Sequence, residues 1–385
     1  MPGPATRGPE VADIFRAHGA AYLAAHRPSG TQRKAFAAIT ACRTAALGGH
    51  LDVCADCDAS RPSYNSCRNR HCPKCQSLAQ ARWIAARKER VLPVHHFHVV
   101  FTLPGSLRPL ARRNAARIYD LLFAAASSTL LTLGQDPDRL GGLLGVTGVL
   151  HSWTRELTFH PHLHCIVTGG GLSPDGTRWL ATRRKHLFPV RVLGALFRGK
   201  FMDGLITAHR ERPFDLPSDL EDPRDFTAWK DHLYREDWVV YAKQPFGGAE
   251  QVFAYLGRYT HRVGLSNQRI RAADDHGVTF VTKGDKTVTL EPVEFIRRFL
   301  LHVLPHRFVK IRHYGLLASG NVDGKLALAR HLLDAPAASA PSSADVVLGG
   351  WQALFHRLTG IDPTRCVRCG GLLTRHPLAR RLDSS

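Results

Sequence analysis

The chain has 385 residues, 44% of them hydrophobic, and 52 Lys and Arg against 32 Asp and Glu give it a formal charge of +20. That length holds two or three domains with their own cores, and the charge makes a polyanion the default partner, nucleic acid first. No window reaches the roughly 18 apolar residues of a membrane span, and Met1 to Arg7 lacks the charged start and apolar core of a secretory signal, so no membrane partner and a cytosolic location are expected.

From Glu10 to about Arg43 the pattern is helical. Ile14, Phe15, Tyr22 and Leu23 form one stripe, and Thr31 precedes a run with Phe36, Ile39 and Cys42 at helical spacing. Most of the nine cysteines fall in Cys-x-x-Cys pairs, which in a cytosolic chain favour metal over disulfides. Cys54 and Cys57, then Cys72 and Cys75, are expected to present four thiolates to one structural Zn²⁺, whose binding would supply folding energy to a loop-rich segment. Free structural cysteines are the plainer alternative. Cys67 and His71, with Cys42 and His50, remain as further or exchanged ligands. Arg68 and Arg70 stand among the basic residues around these knuckles and read as part of a nucleic-acid grip.

Val94 to Leu103 alternates as a strand, with Phe97, Val99 and Phe101 on one face and His96 and His98 on the other, until Pro104-Gly105 stops it. Leu107 to Leu133 is helical, with four arginines on its early turns. Thr147 to Thr154 then reads as a strand that pairs as a hairpin with His160-Pro161-His162-Leu163-His164-Cys165-Ile166-Val167-Thr168, which runs into Gly169-Gly170-Gly171. In a strand His162 and His164 project one way, and Leu163, Cys165 and Val167 the other. Two imidazoles side by side with an apolar back form half of a divalent-metal site. Taken alone, such a pair more often consists of satisfied or surface histidines. His151 is the first candidate for a third ligand and His160 the next.

Asp175 to Asp237 reads as a helical insertion with a loop. Trp238 to Ala242 is a short strand, and a helix is expected from about Ala249 to Arg262. On it Tyr255 and Tyr259 lie one turn apart, with Arg258 and Arg262 sharing their face. Phenols flanked by guanidiniums beside a metal suit attack on a phosphodiester, because arginine holds phosphate oxygens while the metal polarises phosphorus. The alternative is two tyrosines packing a helix against a sheet. Gly277 to Glu291 reads as a hairpin, and Pro292 opens a helix. Arg307 to Tyr314, including Arg312, alternates basic and apolar residues, fitting either a strand that offers charge to DNA or an edge strand guarded against aggregation. A low-complexity linker, Ala335 to Ser343, precedes Cys366 and Cys369. These supply two thiolates, with His376 as a third ligand and no obvious fourth, so zinc there stays open.

Three blocks carry a resemblance: Tyr64 to Cys75, His160 to Gly171, and Tyr255-Leu256-Gly257-Arg258-Tyr259-Thr260-His261-Arg262. In this order they resemble the insertion-sequence ninety-one family of two-tyrosine HUH rolling-circle transposases, over roughly Cys42 to Tyr314. Phe101-Thr102-Leu103-Pro104 also resembles the first motif of HUH nucleases. The resemblance implies an α+β fold, with an HUH-type central antiparallel sheet and helices on one face. His162 and His164 would lie on a central strand with the tyrosine helix opposite, behind a helical, zinc-ribbon-like N-terminal domain. The expected division is 1–92, a DNA-binding zinc domain; 93–316, the catalytic domain; and 317–385, a linker with a small Cys-x-x-Cys segment.

The same resemblance implies that Tyr255 or Tyr259 attacks single-stranded DNA at an insertion-sequence end, leaving a 5′-phosphotyrosine link and a free 3′-hydroxyl. His162 and His164 would hold Mg²⁺ or Mn²⁺, although imidazoles alone would not select magnesium. Transposon ends and target DNA are the expected partners, the bacterial nucleoid the expected place, and a homo-oligomer is left open. Transesterification keeps the phosphodiester energy in the covalent bond, which agrees with the lack of a Walker loop in the sequence. Rival readings are a rolling-circle replication initiator or relaxase, and a non-catalytic zinc-stabilised DNA-binding protein. A hydrolase with its His-x-His on a barrel strand would need a repeated strand-helix pattern that the chain lacks.

Overall fold

A computed structural model describes residues 8–75, 91–246, 251, 264–334, 352–353, 355–356 and 360–380. Tyr255, Tyr259, Arg258 and Arg262 lie outside the described residues, as does the linker from Ala335.

The alternating segments form one antiparallel sheet. Strands β3 (His96–Thr102), β4 (Leu143–Trp153), β5 (Phe159–Leu172), β7 (Val240–Phe246) and β11 (Ile311–Gly315) are arranged in the order β11-β4-β5-β3-β7, and the short β6 (Trp179–Ala181) pairs with the end of β5. Two strands of the zinc region, β1 (Gly49–Cys54) and β2 (Ser60–Tyr64), precede these in the chain. The histidine strand β5 is therefore central. Its apolar side chains, Leu163, Cys165 and Val167, are buried with Val99 and Phe101 of β3 and Leu150 of β4.

Helices cover that face. The helix Arg108–Arg113 (α3) leads into Ala115–Gln135 (α4), which buries Ile118, Leu122, Ala126 and Leu130, four residues apart along one stripe, with Phe123 beside them. Val190–Glu211 (α5) adds Phe197 and Phe201, and the Phe197 ring lies 4.9 Å from that of Phe101. Each fully buried Leu or Phe contributes roughly 1.5–3 kcal/mol by area removed from water. This packing fixes which way the sheet faces and leaves the histidine side for chemistry. The segment 175–237 is a helical insertion with a loop, as expected, made of α5 and the helix Pro223–Arg235 (α6), and it also holds the short β6.

The β4–β5 register sets His151 opposite His162 and Val149 opposite His164, with a bulge between His151 and Trp153. Pro161 sits in that irregular stretch, where a residue without an N–H costs the ladder least. The glycine run has a packing reason. A Cβ on Gly171 would come within 2.8 Å of Gly142 backbone, and one on Gly169 within 2.4 Å of the His95 ring.

In the N-terminal part, α1 (Val11–Ala25) and α2 (Gly30–Ala41) follow the expected stripes. Ser29 caps α2, accepting from the Gln32 amide while Gln32 accepts from the Ser29 amide. Phe15, Phe36 and Ile39 pack with Phe295 and Phe299 of α7 (Pro292–Leu300) in a second core. That core includes Phe280 of a three-stranded sheet, in which β8 (Ile270–Ala273) joins the expected hairpin of β9 (Val278–Val281) and β10 (Thr287–Leu290). After β11 comes α8 (Ala327–Leu332).

The zinc-region hairpin pairs β1 (Gly49–Cys54) with β2 (Ser60–Tyr64), and β12 (Leu373–Leu378) lies along the other edge of β1. The C-terminal residues, expected to form a small segment of their own, instead complete the N-terminal sheet and cover an edge that would otherwise offer unpaired backbone groups. The fold class is α+β as expected. Among the described residues no helix is long and apolar enough to cross a membrane.

Candidate functional site

On the open face of the sheet, His151 joins His162 and His164. One ring nitrogen from each lies within 4.8 Å of the others, and the His151 ring centroid is 5.4 Å from that of His162 and 4.3 Å from that of His164. The first candidate for a third ligand is therefore placed with the pair. His160 stays outside the trio: its Nδ1 accepts from the Arg108 guanidinium at 2.9 Å.

Local hydrogen bonds fix the tautomer of His162 and the orientation of His164. The Nδ1–H of His162 donates to the His160 carbonyl at 2.7 Å, since a carbonyl only accepts, and leaves the Nε2 lone pair free. Nδ1 of His164 lies 2.8 Å from Nε2 of His98 on β3, with the two rings parallel, so the outward nitrogen of His164 is also Nε2. Burial pushes the pKa of His162 down to about 4, and burial beside Arg108 lowers that of His160. At neutral pH these rings are neutral donors. Converging ring nitrogens, with His151 only 2% exposed, cost desolvation that a bound cation would offset. This donor set fits a divalent transition metal.

The trio floors a cleft of about 470 Å³ whose walls include Trp153, Arg155, His160 and Arg269. Arg269 donates to the carbonyls of Val281 and Arg155, and Arg155 to that of Thr282, so both guanidiniums are tethered at the rim. No carboxylate lines the cleft among the described residues. Positive and neutral groups around a metal-binding floor suit a phosphodiester backbone.

The cysteines differ from expectation. Cys54, Cys57, Cys72 and Cys75 do not meet; the structure forms two four-thiol clusters instead, Cys42, Cys67, Cys72 and Cys75, and Cys54, Cys57, Cys366 and Cys369. The cause is the hairpin. Cys54 and Cys57 occupy its tip, whereas Cys67 to Cys75 returns beside Cys42 at the end of α2, and β1 alone spans about 20 Å at 3.4 Å per residue. In the first cluster Sγ atoms are 3.4 Å apart for Cys42 and Cys75, and 3.6 Å both for Cys67 and Cys75 and for Cys42 and Cys72. Four sulfurs about 2.3 Å from a tetrahedral zinc would lie about 3.8 Å apart, so this set fits zinc with little adjustment.

Cys67 is thus placed with a metal set, and His71 is not. The Nε2 of His71 accepts from the Leu304 amide at 3.1 Å and its Nδ1 faces Asn69, while burial pushes its pKa down to about 3. Arg70, expected to grip nucleic acid, instead donates to the carbonyls of Phe308 at 2.6 Å and Pro305 at 3.0 Å. Arg312, likewise expected to meet DNA, pairs with Asp120 and lies over the rings of Phe123 and Phe308. Both guanidiniums hold elements together. Arg68 remains exposed beside the first cluster. His376 lies on exposed β12 away from both sulfur sets. His98 is the site residue that sequence reasoning left without a role, although the alternation of its strand had placed it on the polar face.

Comparison with known proteins agrees with this arrangement. A family described as "Putative transposase" matches residues 145–324, which hold His151, His162 and His164, and a "Transposase zinc-binding domain" family matches residues 14–103, which hold the first sulfur cluster. The chain is 46% identical to a "Putative transposase y4qJ" of Sinorhizobium fredii over 95% of this chain and 94% of that protein. It is 27% identical to the transposase for insertion sequence element IS801 of Pseudomonas savastanoi pv. phaseolicola, over 86% of this chain and 80% of that one. No solved structure matches significantly. The chain belongs to the insertion-sequence ninety-one family of transposases, with a transposase zinc-binding domain at its N-terminal side.

Proposed function

We propose that the protein cleaves and rejoins single-stranded DNA at insertion-sequence ends through a covalent 5′-phosphotyrosine intermediate. The observation that carries this reading is the imidazole trio His151, His162 and His164 at the floor of a cleft with an arginine rim. The Oη of Tyr255 or Tyr259 forms a bond to phosphorus as the bond from phosphorus to the 3′-oxygen breaks. The phenol loses its proton and the departing 3′-oxygen gains one, so no nucleotide triphosphate is consumed.

His151, His162 and His164 would hold Mg²⁺ or Mn²⁺, which supplies charge to the phosphate oxygens. Three neutral imidazoles suit Mn²⁺ better than Mg²⁺, which prefers oxygen donors. Arg258, Arg262 and Arg68 are assigned to phosphates of the DNA, with Arg155 and Arg269 at the rim holding the strand over the trio. Two tyrosines allow two successive cleavages, one holding the donor end and one the target. We divide the chain into an N-terminal zinc-binding region, residues 1–92, and a catalytic region, residues 93–316, which share the core that α1 and α2 form with α7; residues 317–385 include β12, which returns to the N-terminal sheet.

The test is cleavage of labelled oligonucleotides carrying the element's end. Single strands are cut with Mn²⁺, and less well with Mg²⁺, while the duplex form is spared. His162→Ala and His164→Ala lower the rate at least 100-fold with strand binding retained. Equal cutting by these variants would overturn the assignment of the trio.

A further inference from the structure

We infer that the protein binds a second structural zinc ion between the two ends of its chain, through Cys54, Cys57, Cys366 and Cys369. This site is separate from the one inside the matched zinc-binding region, which ends at residue 103 and so lacks two of these four ligands. It stands whether or not the phosphotyrosine reading does.

The geometry is that of a tetrahedral tetrathiolate. Sγ of Cys54 lies 3.4 Å from that of Cys369, and Sγ of Cys57 lies 3.8 Å from that of Cys366 and 3.4 Å from that of Cys369. Sulfurs bound to one zinc lie about 3.8 Å apart, whereas a disulfide brings them to about 2.05 Å. None of the nine cysteines is in a disulfide. The backbone forms two matching turns. The Asp58 amide donates to the Cys54 carbonyl, and the Gly370 amide to that of Cys366, so each Cys-x-x-Cys ends in the same tight loop. Gly370 takes a φ of +81°, which a side chain would resist. Two such knuckles meeting face to face are how a zinc ribbon is built, here from pieces 309 to 315 residues apart in sequence.

The surroundings are built to join these pieces. β12 pairs with the whole of β1, from Gly49 opposite Leu378 to Cys54 opposite Leu373. Arg375 of β12 donates to both carboxylate oxygens of Asp52, at 2.7 and 3.3 Å, and Asp52 is 5% exposed. Backbone pairing and an ion pair thus hold the strand in register while the four thiols close one end. On binding, four thiols release their protons and Zn²⁺ accepts four sulfur lone pairs, with no change of oxidation state. The result is a metal clasp: the C-terminal strand is latched to the N-terminal sheet.

The test counts zinc by plasma mass spectrometry in the full chain, purified with a thiol reductant; every protein compared, including the one with wild-type cysteines, carries His162→Ala and His164→Ala so that the imidazole trio adds no zinc. The protein with wild-type cysteines should hold two zinc ions per chain. The pair Cys366→Ser with Cys369→Ser should hold one, the pair Cys54→Ser with Cys57→Ser should also hold one, and all four substitutions together should still hold one. Co²⁺ substitution provides the second readout, with thiolate charge-transfer absorbance halved in each paired variant, and thermal unfolding confirms that the variants are folded. One zinc in the protein with wild-type cysteines would overturn the proposal, as would two zincs in either paired variant. Loss of both ions in the fourfold variant while it remains folded would do the same.

Discussion

Nε2 of His98 lies 2.8 Å from Nδ1 of His164, on neighbouring strands and with the two rings only 5° from parallel. His98 is 3% exposed, so its ring cannot swing away, and it orients His164 toward His151 and His162. Outer partners of metal-bound histidines typically affect affinity 10- to 100-fold. His98→Leu should weaken Mn²⁺ binding by about that factor, and His98→Gln by less, because an amide can still meet Nδ1 of His164. Calorimetric titration with Mn²⁺ reads this directly. A purely packing role would lower the melting temperature and leave the affinity of the folded protein unchanged.

Some of this was legible in the residues themselves. The period of two in β3, β4 and β5 exposes the polar faces, and pairing β4 with β5 as a hairpin brings His151 opposite His162. Other features depend on contacts that no local pattern records. Cys54-x-x-Cys57 and Cys72-x-x-Cys75 look like one ribbon, yet a hairpin carries them apart, and the thiol that Cys54 meets, Cys369, comes 315 residues later. Arg70 and Arg312 look like DNA contacts because a charge reads the same whether it faces a phosphate or, as here, a carbonyl or an aromatic ring. His98 shows its face in sequence, but not that its ring meets His164 diagonally across the β3–β5 ladder.

Gly171 brings β5 against the turn that leads into β4. An added Cβ would lie 2.8 to 2.9 Å from the backbone of Gly142 and Leu143, which cannot rotate aside. Gly171→Ala should therefore cost roughly 1–3 kcal/mol, the range for overpacking a tight site. Urea denaturation of the two proteins measures it, and a cost near zero would show that the strands part easily.

Arg70 ties the first sulfur loop to the segment before β11 through the Pro305 and Phe308 carbonyls. Arg70→Ala leaves both acceptors without this donor, at a cost of about 1–3 kcal/mol. Hydrogen exchange should rise in residues 67–75 and 304–308 together, with β4 and β5 unaffected.

His302 is 1% exposed. Its Nε2–H donates to the Leu157 carbonyl at 3.1 Å and its Nδ1 faces the Ser152 hydroxyl, so the neutral ring is the form that fits. Burial pushes its pKa down to about 4, below the ordinary value of 6.5. The unfolded chain takes up a proton first, so the stabilisation is complete above pH 6.5 and is lost as pH falls toward 4. By pH 5 that loss is about 2 kcal/mol, at 1.36 kcal/mol per pH unit. His302→Gln should be less stable at pH 7.5 yet lose less between pH 7 and 5. Both proteins share the acid-labile thiolate sites, so the difference in their denaturation midpoints isolates His302.

The central claim is tested most directly by covalent capture. The protein is incubated with Mn²⁺ and single-stranded DNA from the element's end, labelled on the 3′ side of the cleaved bond, and the mixture is resolved under denaturing conditions. The account predicts a labelled protein–DNA adduct that disappears in His164→Ala and in the double variant Tyr255→Phe with Tyr259→Phe, and that yields phosphotyrosine on digestion. Strand binding on correct ends with no adduct under any divalent metal would contradict it and leave a zinc-stabilised DNA-binding protein.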